Sequence, residues 1–149
     1  LLIRFDLHQN FYSGNNSIIS KFRKNLNRRF QRQYGINEIG YVWAREMEKA
    51  KAQHYHFAIY LDGNKVRHSK KIIEIIEDTW KSLNENNHMS KVKNPFYFID
   101  NNDTKNDAVY RLSYLGKSRG KGYRDKQAKD YSTSRLIPNK RNYQKRDTL

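Results

Sequence analysis

Apolar residues recur along this chain in two periods, and the switches between them mark out its elements. Leu1 to His8 (Leu-Leu-Ile-Arg-Phe-Asp-Leu-His) alternates enough for a β-strand, and Gly14-Asn15-Asn16-Ser17 follows as a turn ending in an N-cap. Ile18, Ile19, Phe22, Leu26 and Phe30 then recur at helical spacing, with Lys21, Arg23, Lys24, Arg28 and Arg29 on the remaining faces and Gly35 as a stop. A hairpin is expected next, its strands running from Ile39 to Met47 and from His54 to Leu61. Asp62-Gly63-Asn64 is a turn, and Ser69 can cap a second helix that carries Ile72, Ile73, Ile76, Trp80 and Leu83 on one side. A polar stretch from Asn84 to Asn94 leads through Pro95 into a short apolar strand, Phe96 to Ile99. Asp103 or Thr104 opens a third helix, with Ala108, Val109, Leu112 and Leu115 as its packing stripe and an end near Gly116.

This order, β-α-β-β-α-β-α, predicts an α+β domain: a central antiparallel sheet of about five strands in the ferredoxin-like, or split βαβ, arrangement. Helices are expected on one face of the sheet, leaving the other face open. The domain is expected over residues 1–123. From Lys117 onward basic residues are interrupted mainly by Gly, Ser, Asn and Tyr, and residues 124–149 read as a solvated basic tail. The strand pattern is already under way at Leu1, which leaves room for flanking segments.

Charge narrows the partner. Thirty Lys and Arg against fifteen Asp and Glu give 149 residues a net charge of +15 and a pI near 10.0, an imbalance that points to a polyanion, nucleic acid first. Tyr123, Tyr131 and Tyr143 are interleaved with the basic residues and can stack on unpaired bases, which suits single-stranded DNA. Cysteine is absent, so disulfides and thiolate zinc sites are excluded. No apolar run is long enough to span a bilayer, no signal peptide is read, and no membrane partner is expected.

The hairpin carries the candidate chemistry. On its second strand His54, His56, Ala58 and Tyr60 share one face, while Tyr55, Phe57, Ile59 and Leu61 point to the core. Glu46 on the first strand can lie beside the histidines, where opposed side chains are about 5 Å apart. Two neutral imidazoles and a carboxylate bind a divalent cation and leave coordination positions open. A His-x-His pair by itself is more often merely solvated, and Glu48 shares the strand face with Glu46, which is favoured as the deeper of the two. Asp6 and His8 are left outside the metal shell; His68 and His88 fall in loops without a partner at ligand spacing. On the third helix Tyr110, Tyr114 and Lys117 can share a face, although tyrosines at helical spacing also arise as packing.

A His-x-His strand, a carboxylate eight positions upstream and a downstream helix reading Tyr-x-x-x-Tyr-x-x-Lys together resemble the HUH endonucleases, the rolling-circle replication initiators, relaxases and related transposases. The paired tyrosines are similar to the two-tyrosine branch found in phage initiators. The resemblance implies a metal site of His54, His56 and Glu46 that takes Mn2+ or Mg2+. It also implies nucleophilic Tyr114 and Tyr110 assisted by Lys117, and nicking and joining of single-stranded DNA at a replication origin through a 5′-phosphotyrosine. The element served would be a phage or plasmid in the cytoplasm of a bacterial host, with a host helicase and polymerase as further partners. Two other readings compete. An RRM-like binding module would need Tyr41, Trp43, Tyr55 and Phe57 on the open face, and the Gly-aromatic-Gly pattern is missing. A two-His-one-carboxylate iron oxygenase is disfavoured by the amphipathic helices and the charge.

Overall fold

The computed structural model describes residues 1–47, 52–67, 69–116 and 125–136. Their elements are β1 (Leu2–His8), α1 (Ser17–Tyr34), β2 (Gly40–Glu46), β3 (His54–Tyr60), α2 (Ser69–Lys81), β4 (His88–Ser90), β5 (Phe96–Tyr97), α3 (Asn102–Ser113) with a 3-10 turn at Tyr114–Gly116, and β6 (Tyr131–Thr133). The strands form one antiparallel sheet in the order β4-β1-β3-β2-β6, and β5 pairs with the start of β1. The expected α+β architecture is therefore present, with the split βαβ order β4-β1-β3-β2 at its centre.

The main core fills the space between the sheet and the layer of α1 and α2. Phe5, Leu7, Trp43, Tyr55, Phe57 and Ile59 of the sheet meet Ile19, Phe22, Leu26 and Phe30 of α1 and Ile72, Ile76 and Trp80 of α2. Phe22 stands edge-on to Phe5, Phe57 and Trp80 at centroid distances of 6.3, 5.7 and 5.5 Å, so a single ring ties both helices to the two central strands. Gly35 ends α1 at φ 62°, donating its N–H to the Gln31 carbonyl while Ile36 donates to that of Phe30, a left-handed cap that a β-carbon would strain.

Several sequence expectations change in three dimensions. The helix α3 lies on the opposite sheet face from α1 and α2: Ala108, with Leu112 beside it, packs on Leu2, Ala58, Val42, Tyr60 and Tyr97. Small Ala58 lets the helix approach, so half of the face expected to stay open is roofed. Within α3 Val109 is exposed, and the helix is capped by Asn101, whose side chain and that of Thr104 form a reciprocal capping box two residues earlier than Asp103. The stretch after α2 contains a strand, β4, paired with the end of β1.

The segment read as a solvated tail is also built into the fold where it is described. Tyr131–Thr133 adds an edge strand to β2, and Arg45 binds Asp130 at 2.9 Å with the arginine side chain only 1% exposed. The Asn16 side chain, instead of capping α1, bonds both the carbonyl and the N–H of Lys129. Isolated β-branched and aromatic residues in a basic run carry no readable period, which is why the edge strand is invisible in the pattern.

Candidate metal centre

The sheet register assembles one polar surface at one end of the face that α3 half covers. Across β1, β3 and β2, His8 opposes His54, which opposes Glu46, while Asp6 opposes His56, which opposes Ala44. Alternation sends all of these side chains, with Arg4 behind them, to the same face. At the other end of that face Leu2, Ala58 and Val42 are apolar and take the helix. The division between covered and open halves thus follows from which residues alternate along three neighbouring strands.

Glu46, His54 and His56 form a group that can hold a metal ion. The Glu46 Oε2 atom lies 2.7 Å from His56 Nε2 and 3.3 Å from His54 Nε2, and the two Nε2 atoms are 3.3 Å apart. Three ligands at about 2.1 Å from one ion and roughly at right angles would be separated by about 3 Å, so this triangle suits a single cation bound from one side. The three side chains are 22–28% exposed, which leaves the other side of that position open to a ligand from solution.

The second nitrogen of His56 is held from behind. Its Nδ1 lies 2.8 Å from Asp6 Oδ1, and Arg4 braces the same carboxylate oxygen at 2.8 Å while approaching Nδ1 to 3.1 Å. A ring nitrogen facing both a carboxylate and a guanidinium is best protonated toward the carboxylate, because a lone pair aimed at Asp6 would be repelled. Nε2 faces the Glu46 carboxylate at 2.7 Å and so also carries a proton while no cation is bound. A cation between Glu46 and the two histidines would displace that proton, while Asp6 keeps the one on Nδ1, the arrangement a metal ligand needs. Burial raises the Asp6 carboxyl, but the hydrogen bond from His56 and the charge of Arg4 outweigh it and hold it below the ordinary carboxylate range. Burial lowers His56, yet its bonds to Asp6 and Glu46 win and raise it above the ordinary imidazole value. His54 is lowered, by burial and then by His56 beside it. A position flanked by a carboxylate and two such imidazoles favours a positive occupant, proton or metal.

The imidazole surface continues past the ligand group. His8 stacks on His54 at 5.0 Å and on His88 at 4.4 Å, and its Nε2 meets Ser90 Oγ at 2.8 Å. Burial, then His88 and His54, lower His8 to about 4, so it stays neutral at ordinary pH. His88, expected in a loop without a partner, belongs to β4 and closes this stack. Asp6, Arg4, His8 and His88 are what the sequence pattern did not assign. Their common parity on β1 was readable, but the pairing of β1 with β3 and β4 was needed to give it meaning.

Tyr110 lies on α3, and Tyr114 caps its C-terminus and opens the 3-10 turn. Tyr110 and Tyr114 exchange a hydrogen bond between their hydroxyls at 3.1 Å, with rings 5.6 Å apart and nearly perpendicular, and they are 67% and 40% exposed. That bond to Tyr114 is the main cause raising Tyr110 above the ordinary phenol value. Arg111 between them donates to the Lys93 carbonyl at 3.0 Å. Burial chiefly lowers the Arg4 guanidinium, and Arg111 adds to this against the opposing pull of Asp6. Lys117 and Glu48 lie outside the described residues, as do His68, Tyr123 and Tyr143. No helix among the described residues is long and apolar enough to cross a membrane.

No curated protein and no solved structure matches the chain. A family model does, that of the YagK/YfjJ C-terminal domain, over residues 1–130. This span takes in the strands that carry Asp6, Glu46, His54 and His56 together with the helix that carries the tyrosines, and over it the chain belongs to the YagK/YfjJ C-terminal domain family.

Proposed function

We propose that this protein nicks and rejoins single-stranded DNA, with His54, His56 and Glu46 holding Mn2+ or Mg2+ and a tyrosine of α3 as nucleophile. The observation that carries the reading is the His54–His56–Glu46 triangle on the same sheet face as a helix presenting two hydrogen-bonded phenols. When bound, the divalent ion supplies charge neutralisation at the scissile phosphate.

The chain's own residues do the rest. Asp6 fixes the His56 proton on Nδ1 and so keeps Nε2 available. The hydroxyls of Tyr110 and Tyr114 are hydrogen-bonded, so whichever phenol attacks has the other beside it to donate to its developing oxyanion, and Tyr114 is taken as the first nucleophile. Tyr114 Oη would attack the phosphorus, its proton passing to water or to Lys117. The bond to the 3′ oxygen breaks, and that oxygen takes a proton from water and leaves as a 3′-hydroxyl. The phosphotyrosine conserves the energy of the broken bond, so a returning 3′-hydroxyl can reseal the strand, and Tyr110 is available for a second transfer. Such chemistry suits initiation of rolling-circle replication at the origin of a phage, plasmid or related mobile element in a bacterial cell, where the free 3′ end would serve a host polymerase and helicase.

The binding-module reading finds less support. Trp43, Tyr55 and Phe57 are buried against the helix layer, away from any base-stacking surface. Incubation with single-stranded oligonucleotides and Mn2+ tests the proposal. A protein–DNA adduct should survive boiling in detergent and be lost with a chelator. Oligonucleotide binding with no adduct and no cleavage would sink the proposal and leave a binding module.

A further inference from the structure

The helix α1 carries a charge pattern that neither the core nor the metal centre uses. At about 100° per residue, Lys21, Lys24, Arg28 and Arg32 fall within roughly 80° of arc, on the side opposite the stripe of Ile19, Phe22, Leu26 and Phe30 that packs into the core. All four are exposed, as are Ser17, Ser20, Asn27, Arg29, Gln31 and Gln33 around them. Successive cations are three or four residues apart, so the row runs about 16 Å along the helix axis. The 18 residues of α1 contain no Asp or Glu, and among the described residues none of its cations makes an ion pair. The neighbouring helix in the same layer is different: α2 mixes Glu74, Glu77 and Asp78 with its lysines and closes a Glu77–Lys81 pair at 2.8 Å. An uncompensated row beside a compensated helix is a cost in self-repulsion that a polyanionic partner would relieve.

The chemistry of the row selects the kind of polyanion. It has hydroxyl and amide side chains that bond phosphate oxygens, but no exposed aromatic or large apolar residue. Single strands are held by stacking on aromatics, and protein partners anchor on large buried side chains; the row offers neither. The exposed aromatics include Tyr110 and Tyr114 at the C-terminal end of α3 and Tyr131 on β6, whose pairing with Ala44 puts it on the metal face. We infer that α1 is a second nucleic-acid surface, one that binds the sugar-phosphate backbone of duplex DNA on the sheet face opposite the metal centre. The protein would then hold a duplex on its helix layer while the metal face handles an unpaired strand. This inference stands on α1 alone and does not require the metal centre to cut.

The test measures binding of the full chain to a duplex and to a single-stranded oligonucleotide of equal length over a range of salt. The quadruple variant Lys21→Gln, Lys24→Gln, Arg28→Gln and Arg32→Gln should bind duplex at least about 10-fold more weakly near 0.1 M salt. Its slope of log affinity against log salt should be shallower by about 3, while single-strand binding changes less than about twofold. Adduct formation with the single strand and Mn2+ is read separately, so its failure would count against the nuclease proposal only. If the quadruple variant melts early, Lys24→Gln with Arg28→Gln carries the same comparison with roughly half the slope change. Equal loss of duplex and single-strand binding would overturn the inference in favour of a general charge field. Unchanged duplex affinity would overturn it outright, and equal competition by polyglutamate would assign the row to an acidic protein.

Discussion

Asp6 and His56 are joined through Nδ1 at 2.8 Å, on the side of the imidazole that faces away from Glu46 and His54. The carboxylate therefore decides which nitrogen of His56 is available at the centre of the candidate site. Replacing Asp6 with asparagine keeps the shape and removes the charge that fixes the tautomer. Affinity for Mn2+, measured by calorimetry, should fall about 10- to 100-fold. Unchanged affinity would show that Asp6 serves only the Arg4 pair.

The three candidate ligands should be separable from binding. Alanine at His54 and His56 should abolish adduct formation, yet leave most oligonucleotide affinity, since phosphate contacts are spread over many cations. Glu46→Ala should weaken Mn2+ dependence more than Glu48→Ala; the reverse ranking would move the carboxylate ligand to Glu48.

The two phenols should differ. Tyr114→Phe should remove most of the first-step adduct, Tyr110→Phe should slow it by removing the hydroxyl bonded to Tyr114, and the double variant should form none. Both rings are exposed, so the denaturant midpoint should hardly move in any of these variants. A phosphopeptide mapped by mass spectrometry to Tyr131 or Tyr123 would reassign the nucleophile.

The Arg45–Asp130 pair predicts that the C-terminal segment is structural where it meets the sheet. Because Arg45 is buried, Asp130→Ala should cost about 3 kcal/mol in urea unfolding. Deleting residues 125–149 should cost more, as it also removes β6 from the edge of β2. A truncated chain as stable as the full one would return the segment to the role of a loose basic arm.

Acid should weaken the fold through His8. Its value is depressed from 6.5 to about 4 in the folded state, so its contribution is present above pH 6.5 and is lost as pH falls toward 4. His54 is lowered and acts in the same direction; His56 is raised and acts in the opposite one, but His8 is shifted furthest. With a chelator present, the melting temperature should drop between pH 7 and 5, and His8→Gln should flatten that dependence. An equally steep drop in the variant would place the acid sensitivity elsewhere.

The sequence by itself determined the long elements and the pair of histidines. Periodic runs such as Ile19, Phe22, Leu26 and Phe30, or the alternation of Tyr55, Phe57 and Ile59 with His54 and His56, encode which side is buried within one element, and local spacing suffices for that. The polar residues of the hairpin could likewise be put on one face, with Glu46 opposite His54 once the hairpin register is known. Tertiary structure decided everything that depends on which strands become neighbours. Antiparallel pairing of β1 with β3 brings Asp6 to His56 across 50 positions of sequence and stacks His8 on His54, and no period within one strand records such a pairing. The side taken by α3 was equally hidden, because its weak apolar stripe matches a patch of Leu2, Val42 and Ala58 drawn from three separate strands. The strand at Tyr131–Thr133 was hidden for a third reason: three residues are too few to show a period, and what holds them is a buried arginine on a strand 85 positions earlier that needed an acidic partner.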